Sequence, residues 1–327
     1  MIIVIGLGSM GKRRIRLLKK IKPDEMIIGV DLNPSRREAV REEFDINTQE
    51  NLDEVLANLT QEDLNYAFIS TSPLSHAKII NSCLKAGVSV FTEINLVDDM
   101  YEENIQLAGE NGCTLYLSST GLFRNEMRYL IERVRNSGEP LSYVYHVGQY
   151  LPDWHPWESY KDFFIGDKRT NGCREILAIE FPWIVAAFGK ITDVKFNKMK
   201  QTNLDIDFCD SVMVLVSHEN GHMGTFIVDV VCRKAVRDFR VFGENMYITW
   251  KGTTDSLMEY DFETKEEKQI NMYAESEHID GYSRLIIENA YESEIMDFFD
   301  VAEGRKESEH TFTEDKEILG WIDKIDI

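Results

Sequence analysis

Short apolar runs alternate with amphipathic stretches over the first third of the chain. The amphipathic stretches, which include LDEVLANL and residues 75–86, carry apolar side chains at helical spacing. The apolar runs read MIIVI, MIIGVD, YAFIS, VSVFT and TLYL. Runs of this length that are apolar throughout are typical of parallel strands covered on both faces. The alternation predicts a doubly wound α/β domain whose ligand lies beyond the carboxyl ends of the strands.

The pattern changes near residues 119–121, and this change alone marks a domain boundary. We therefore expect two domains, residues 1–120 and residues 121–327. Beyond the boundary, strands are predicted at 143–150, 210–217, 222–231, 238–242 and 246–250. Helical spacing is found in 171–190, 282–301 and 316–325, and EYDFETKEEKQ is interpreted as an exposed hairpin or loop.

A glycine-rich segment, Gly6-Leu7-Gly8-Ser9-Met10-Gly11, lies between the first predicted strand and the first helix. There the glycines permit a tight turn, close approach of the backbone to a pyrophosphate, and close packing of strand and helix. The second strand ends at Asp31, twenty residues beyond Gly11, where a carboxylate would bind the adenosine ribose. The segment predicts dinucleotide binding. Asp31 favours NAD because it would repel a 2′-phosphate, although Arg36 and Arg37 leave NADP open.

Three cations, Lys12, Arg13 and Arg14, follow this turn at the start of the predicted helix. Each cation is unfavourable there by a few tenths to about 1 kcal/mol, because a helix begins with a positive dipole end. We therefore expect the negative charge of a bound pyrophosphate to offset them.

Composition excludes several classes of protein. The chain has 327 residues and a formal net charge of -21, which argues against a nucleic-acid surface. It has no apolar run of the roughly 20 residues that a membrane helix needs and no charged leader, so we expect a cytoplasmic protein. Its five cysteines are widely spaced and are interpreted as reduced core thiols. His218 and His222 lack a carboxylate at a metal-binding spacing, so no metal site is expected.

The segments GLGSMGKRR, STSPLSHAKII, FTEINL and GLFRNEMRYL, in this order, resemble the Gfo/Idh/MocA family of pyridine-nucleotide oxidoreductases. The resemblance implies an N-terminal Rossmann domain and a C-terminal α/β domain with a large, mostly antiparallel open sheet. It also implies helices packed near the domain junction, a homo-oligomer such as a dimer or tetramer, and a substrate among sugars, cyclitols and their derivatives.

The resemblance also implies roles for individual residues. Asp31 would hold the adenosine ribose, and Glu93 would lie near the nicotinamide ribose. The remaining predicted cofactor contacts are Gly6, Gly8, Ser9, Met10, Gly11, Arg13, Thr71, Pro73 and His76.

Two positions depart from the family pattern. The Glu-Lys-Pro motif falls on Glu93-Ile94-Asn95, and a slip of one residue would put Asn95 where the lysine head should be. In the helix NGCREILAIEFPWIVAAFGK, the acid falls on Glu175, but Ile179 occupies the position of the histidine that exchanges a proton with the substrate. Glu175 and Glu180 could equally be surface acids of a core helix.

An aromatic segment, GQYLPDWHPWESYKDFF, offers other candidates for proton exchange. We predict that His155 carries the proton, with Tyr160 and Lys161 as an alternative pair. His146, inside a strand pattern, is interpreted as structural. Predicted substrate contacts are Arg124, Trp154, Trp157 and Glu180. The alternative interpretation of this segment is an aromatic packing or dimer loop.

The leading hypothesis is an NAD(P)-dependent oxidoreductase that acts on a sugar or sugar-acid derivative. A resemblance of the aromatic segment to a subgroup associated with bacterial surface-sugar synthesis fits this hypothesis. The rival is a non-catalytic dinucleotide- or sugar-binding protein that kept the fold without the lysine and histidine.

Overall fold

The computed structural model describes residues 1–59, 65–154, 159–274, 277 and 285–325. Contacts within these ranges divide the chain into two units. The first comprises residues 1–119 and 291–317, and the second comprises residues 120–290 and 318–327.

The first unit contains a six-stranded parallel sheet in the order β3-β2-β1-β4-β5-β6. Its strands are β1 (Ile2–Ile5), β2 (Ile27–Val30), β3 (Asn47–Gln49), β4 (Tyr66–Ile69), β5 (Ser89–Thr92) and β6 (Leu115–Leu117). The central strands β1 and β4 are buried at every position, as their apolar sequences require. The strand order reverses direction between β1 and β4, which is the switch point where doubly wound sheets bind ligands.

Helices connect these parallel strands. They are α1 (Ser9–Ile21), α2 (Pro34–Phe44), α3 (Leu52–Ala57), α4 (Pro73–Lys85) and α5 (Tyr101–Asn111). The predicted doubly wound α/β domain is confirmed.

A C-terminal helix, α8 (Glu288–Ala302), supplies part of the core of the first unit. The Phe298 ring makes edge contacts with Tyr66, Phe68, Phe91 and Tyr116 at centroid distances of 5.2 to 5.7 Å. The sequence analysis assigns all of residues 121–327 to the second domain. The structure differs, because these aromatic contacts group residues 291–317 with the first unit.

The second unit contains an eight-stranded sheet in the order β14-β13-β12-β11-β7-β10-β9-β8. Its strands are β7 (Ser142–Gly148), β8 (Ile191–Met199), β9 (Ser211–His218), β10 (Met223–Asp229), β11 (Val236–Phe242), β12 (Tyr247–Trp250), β13 (Met258–Asp261) and β14 (Glu266–Gln269). Neighbouring strands are antiparallel except β7 and β10, which run parallel. The predicted mostly antiparallel sheet is confirmed, although the polar edge strand β8 was not predicted.

One face of this sheet forms the core of the second unit. Tyr145 stacks on Phe226 at 5.0 Å and meets the edge of Trp183 at 5.5 Å. Trp183 belongs to α7 (Gly172–Phe188), and α6 (Asn125–Arg135) and α9 (Phe312–Ile325) complete the helices of the described chain beyond β6. Each described helix is too short or too polar to cross a bilayer.

Candidate functional site

Three glycines shape the turn between β1 and α1, and two of them are required by packing. Gly6 has φ +91°, and a Cβ there would lie 2.6 Å from the Ser70 carbonyl oxygen. A Cβ at Gly11 would lie 1.9 Å from the Gly6 carbonyl oxygen. Gly8 differs, because the nearest atom to its Cβ position is Nη1 of Arg36, at 4.0 Å. Gly8 therefore opens onto free space at the end of the turn.

The N-terminus of α1 is built to receive an anion. No side chain in the described part of the protein caps it, and its first turn contains no acidic residue. A helix start leaves backbone N–H groups without intrahelical partners, and its dipole attracts negative charge. Gly8, the exposed Ser9 and Met10 therefore fit a pyrophosphate, as the sequence predicts.

Asp31 follows β2 and is tied directly to this turn. Its Oδ2 accepts a hydrogen bond from Leu7 N at 2.8 Å, and its Oδ1 accepts one from Asn33 N at 2.8 Å. Nη1 of the exposed Arg36 lies 3.7 Å from Oδ2. The carboxylate is thus held beside the glycine turn, where a ribose bound next to the pyrophosphate would meet it.

The three cations at the start of α1 find partners within the protein. Lys12 pairs with Glu43 at 2.6 Å, and the guanidinium of Arg13 lies 4.6 Å from the ring of Tyr291 and contacts Met10. Arg14 is fully buried and makes two hydrogen bonds to Glu93, at 2.6 and 3.0 Å. The expectation that a pyrophosphate offsets these charges is therefore corrected, since carboxylates and aromatic rings of the chain already do so.

Arg14 joins four parts of the first unit. Besides Glu93, it donates to Glu294 Oε2 at 3.0 Å and to Ser118 Oγ at 3.3 Å. Burial alone would lower the pKa of Arg14, but Glu93 and Glu294 raise it above its ordinary value. Burial raises the pKa of Glu294, with Arg14 opposing the shift. The sequence analysis missed this cluster, and only the unusual cations of the first turn pointed to it.

Polar side chains gather at the carboxyl ends of β4 and β5. His76 is buried, with Nδ1 2.8 Å from Asn95 Oδ1 and Nε2 3.0 Å from the Thr71 carbonyl oxygen. Burial lowers the pKa of His76, although these hydrogen bonds oppose the shift. Asn95, a candidate for proton exchange, is thus buried against His76. Pro73 begins α4 beside them, so the structure brings the predicted far-side contacts together at one edge of the sheet.

Helix α7 carries the two acids that the sequence analysis singled out. Glu180 is buried and accepts hydrogen bonds from Tyr145 Oη at 2.8 Å and Trp183 Nε1 at 2.7 Å, and it pairs with Arg237 at 2.6 Å. Glu180, which the sequence analysis predicts to contact substrate, is therefore held in the core of the second unit by these contacts. Glu175 is half-buried, and its Oε2 is enclosed without a hydrogen-bond partner among the described residues. Burial raises the pKa of Glu175 to about 8.

Other predicted residues of the second unit have defined partners. Arg124 is buried and donates to Glu126 and to the carbonyl oxygens of Leu285 and Gly252, so it braces this unit internally. Trp154 donates from Nε1 to the Gln149 carbonyl oxygen at 3.1 Å.

Lys161 and Tyr160 both contact Asp205. Lys161 Nζ pairs with its carboxylate at 2.5 Å, and Tyr160 Oη accepts from its backbone N–H at 3.2 Å. The carboxylate raises the pKa of Lys161. The ammonium is therefore engaged by a carboxylate rather than by the phenol. His155 and Trp157 lie outside the described residues.

Within the described ranges, no three His, Cys, Asp or Glu side chains are arranged to hold a metal ion. All five cysteines are free, and Cys83 and Cys173 are buried.

Comparisons with known proteins agree with this architecture. Residues 1–119 match the family described as "Oxidoreductase family, NAD-binding Rossmann fold", GFO_IDH_MocA. Among curated protein sequences, none matches the chain.

Solved structures share the fold over nearly the whole chain. Levoglucosan dehydrogenase in complex with NADH is 15% identical with a TM-score of 0.81, covering 99% of this chain and 95% of its own. UDP-N-acetylglucosamine 3-dehydrogenase GnnA from Acidithiobacillus ferrooxidans is 16% identical with a TM-score of 0.75 and the same coverage, 99% and 95%. Biliverdin reductase from Synechocystis, in complex with biliverdin and NADP⁺, is 16% identical with a TM-score of 0.73, covering 99% and 97%.

At these identities the likeness extends to the fold alone, and the three proteins differ in substrate. The family match, by contrast, covers the glycine turn, Asp31 and the edge formed by β4 and β5. Residues 1–119 are therefore similar to the NAD-binding Rossmann domain of the Gfo/Idh/MocA oxidoreductase family.

Proposed function

We propose that this protein transfers a hydride between a nicotinamide dinucleotide and a hydroxyl or carbonyl group of a sugar or sugar-acid derivative. The observation that carries the proposal is the uncapped N-terminus of α1, open at Gly8 and tied to Asp31 through Leu7 N–H. The names of two structural neighbours, a levoglucosan dehydrogenase and a UDP-N-acetylglucosamine dehydrogenase, support a sugar-like substrate.

Different residues of the first unit would bind the pyrophosphate and the two riboses of the cofactor. Backbone N–H groups at Gly8, Ser9 and Met10 would bind the pyrophosphate, and Asp31 would accept hydrogen bonds from the adenosine ribose. Glu93, held by Arg14, would face the nicotinamide ribose. The bound dinucleotide supplies the hydride acceptor or donor, and the protein orients the substrate and moves a proton.

We propose NAD rather than NADP as the cofactor. Asp31 has one oxygen bonded to Leu7 N and the other to Asn33 N, so its negative charge is fixed at the ribose position. A 2′-phosphate would place two negative charges against it. The exposed Arg36, 3.7 Å from the carboxylate, would favour the phosphate. Arg37, the other cation of this end, donates to the carbonyl oxygens of Asp31 and Leu32.

A second candidate function is non-catalytic binding of a dinucleotide or sugar. It is favoured by Ile179, which cannot transfer a proton, and by Asn95, which is buried against His76 where the family has a lysine nearby. A sensor of this kind would keep the dinucleotide-binding site and lose the hydride transfer.

The first experiment tests the proposed dinucleotide-binding site by isothermal titration calorimetry with NAD⁺ and NADP⁺. We expect tighter binding of NAD⁺ than of NADP⁺. We expect Gly8→Ala to weaken NAD⁺ binding at least tenfold while the melting temperature stays unchanged, because the added methyl meets no atom of the described residues nearer than 4.0 Å. Gly11→Ala is the contrasting variant and should destabilise the fold itself. Tighter binding of NADP⁺ would reject the NAD assignment, and a wild-type protein that binds neither nucleotide would reject the redox function.

The second experiment adds a panel of sugars, nucleotide sugars and sugar acids to protein with NAD⁺ or NADH and follows nicotinamide fluorescence. A change in redox state with any member supports the oxidoreductase. No change across the panel, with nucleotide binding retained, favours the sensor.

We further propose that the protein is a homo-oligomer whose copies meet on the outer face of the eight-stranded sheet. Apolar side chains are exposed there, with Met223 58%, Leu215 56% and Met213 49% accessible. An exposed apolar face of this kind commonly marks an interface between proteins. A second copy of the same chain is the occupant that the family architecture suggests.

A further inference from the structure

A buried polar network crosses the interior of the first unit, from the turn after β4 to the start of α9. Its side chains, each at most 6% exposed, are His76, Asn95, Tyr101, Asp315 and His310. Burying polar groups costs free energy unless they are hydrogen-bonded, and a connected network rigidifies the groups that it joins. Apolar side chains would serve packing alone, so the network is best explained by what it holds.

One end of the network holds the backbone of Thr71. His76, the fourth residue of α4, lies with Nε2 3.0 Å from the Thr71 carbonyl oxygen and with Nδ1 2.8 Å from Asn95 Oδ1. A carbonyl oxygen only accepts hydrogen bonds, so Nε2 is the donor. The Asn95 amide can present an acceptor or, after a half-turn, a donor to Nδ1. Both ring nitrogens of the buried His76 are therefore engaged inside the protein.

The other end of the network is anchored by Asp315. This residue lies in the first turn of α9, where the helix dipole stabilises a carboxylate. Its Oδ2 accepts a hydrogen bond from Tyr101 Oη at 2.6 Å, and its Oδ1 lies 3.2 Å from His310 Nε2. Burial and the charge of Asp315 raise the pKa of Tyr101 well above its ordinary value, and the Asn95 side chain opposes this shift. The phenol therefore keeps its proton for Asp315 and faces Asn95 with its oxygen.

Thr71 borders the crevice at the switch point of the sheet. A Cβ at Gly6 would lie 2.6 Å from the Ser70 carbonyl oxygen and 2.9 Å from Thr71 Cγ2. The turn after β4 thus lies directly against the glycine turn after β1. In a doubly wound sheet these two turns form the two sides of the ligand crevice. The position of Thr71 therefore sets the shape of one side of it.

This side of the crevice corresponds to one half of the proposed cofactor. Asp31, directly after β2, marks the position proposed for the adenosine ribose. The nicotinamide half then extends past the switch point in the opposite direction, toward β4 and β5. A displaced Thr71 would disturb the nicotinamide half and leave the adenosine half in place.

We propose that His76 is a positioning residue that fixes the Thr71 carbonyl and so shapes the nicotinamide side of the dinucleotide crevice. Asn95, Tyr101 and Asp315 hold His76 in place. This inference rests on the proposed function, of which it needs only the dinucleotide binding. It replaces the direct contact of His76 with the cofactor, expected from sequence, by an action through Thr71. It likewise makes Asn95 a link in the network rather than a group that exchanges a proton.

The first test compares the binding of NAD⁺ and of ADP by isothermal titration calorimetry. ADP lacks the nicotinamide half, so it reports on the Asp31 end and the pyrophosphate alone. We expect His76→Leu to weaken NAD⁺ binding by about tenfold and ADP binding by less than about twofold, since a misplaced wall affects only the half that contacts it. His76→Gln can still donate to the Thr71 carbonyl and should stay within about threefold of wild type for NAD⁺. An equal loss for NAD⁺ and ADP would overturn the proposal.

The second test asks whether Tyr101 acts through His76. Tyr101→Phe removes only the hydroxyl, because the ring keeps its contact with Phe312 at a centroid distance of 4.6 Å. We expect it to weaken NAD⁺ binding about threefold alone and to have no further effect in the His76→Leu background, because coupled residues are not additive. Additive effects would contradict a shared path. Lys316→Met, which breaks the exposed pair with Glu102 on α5, is the matched control and should leave both affinities unchanged.

Hydrogen exchange separates this role from a general loss of stability. In the nucleotide-free His76→Leu and Tyr101→Phe variants, peptides covering residues 69–75 should exchange faster than in wild type. Peptides covering the glycine turn, residues 5–11, should be unchanged, whereas destabilisation of the whole unit would accelerate both. Equal acceleration of both segments would overturn the proposal. If His76→Leu does not fold, the NAD⁺ affinity and exchange pattern of Tyr101→Phe decide in the same way.

These outcomes are distinct from failure of the proposed function. Wild type that binds NAD⁺, with His76→Leu binding it equally well, would overturn the role of His76 and leave the oxidoreductase function in place. Wild type that binds NAD⁺ but turns over no panel sugar would lose the oxidoreductase function, and the affinities would still decide the role of His76. Binding of neither NAD⁺ nor ADP would overturn both.

Discussion

Single residues of the first unit show how the chain keeps charge in its interior. Arg14, Glu93 and Glu294 are held together by hydrogen bonds of 2.6 to 3.0 Å, and Arg14 also lies 4.4 Å from the ring of Phe91. A buried charge is tolerated only when it is paired and its hydrogen bonds are satisfied. The cluster therefore makes Arg14 a positioning residue for Glu93.

Replacing Arg14 by Met tests this role. The variant leaves Glu93 and Glu294 without their cation, so we expect the free energy of unfolding to fall by about 3–5 kcal/mol in urea titrations at neutral pH. Adding Glu294→Gln should recover part of the loss, because one uncompensated carboxylate is removed. Lys12→Met, which breaks the exposed pair with Glu43, is the control and should cost less than about 1 kcal/mol. Equal losses in the two single variants would contradict the buried-cluster interpretation.

Glu175 should give the stability of the protein a characteristic pH dependence. Its folded pKa of about 8 lies above the ordinary carboxyl value, so the native state holds a proton that the unfolded chain releases. Stability is therefore fully present below the ordinary carboxyl pKa and falls as the pH rises toward 8. We expect Glu175→Gln to melt with wild type at pH 4 and above wild type at pH 8. Parallel melting curves across this range would show that Glu175 is ionised in the native state.

Among the secondary-structure elements, α8 has the least expected role. It lies late in the sequence, yet Phe298 contacts four aromatic rings of β4, β5 and β6, and Tyr291 lies beside Arg13 and Arg14. The core beside the parallel sheet of the first unit is therefore completed by a helix that comes late in the sequence.

Phe298→Ala should destabilise the first unit by about 3–5 kcal/mol, the usual cost of removing a buried phenylalanine. The measurement is thermal unfolding with and without NAD⁺, since the nucleotide stabilises the protein only when the first unit is folded and can bind it. Met296→Ala, on the same helix but 53% exposed, is the matched control and should change stability by less than about 0.5 kcal/mol. A small effect of Phe298→Ala would mean that α8 is dispensable to this core.

At the scale of the whole molecule, the proposed contact between copies lies on the outer face of the eight-stranded sheet. Leu215, Thr225 and Val144 form one row across β9, β10 and β7, and Leu215 and Val144 are exposed apolar residues of that row. The strongly negative net charge of -21 disfavours close approach of two copies, so an apolar contact would have to outweigh that repulsion.

Leu215→Glu should therefore convert the protein to a monomer, because it places a charge within the contact. Light scattering coupled to size-exclusion chromatography measures the mass directly. Met26→Glu, at an exposed apolar position of the first unit, is the control and should leave the mass unchanged. A wild-type protein that is already monomeric would contradict the proposed interface, as would an oligomer that withstands Leu215→Glu.

Local sequence determined much of this protein. The apolar runs fixed the parallel strands, because a strand covered on both faces must be apolar throughout. Gly6 and Gly11 fixed the turn, since their backbones admit no side chain there. Asp31, directly after β2, marks the position proposed for the adenosine ribose.

Other features depended on residues distant in the chain. Arg14 and Glu294 are 280 positions apart, and His146 and Asp229 are 83 apart, so no local pattern reveals either pair. His146 looks structural in a strand pattern, and its hydrogen bond with Asp229 is seen only in the folded chain. The sequence by itself determined the strands, the turn and the cofactor class, because these depend on neighbours along the chain. Only the tertiary structure decided which charges meet, because burial and partnership are set by contacts that sequence spacing does not encode.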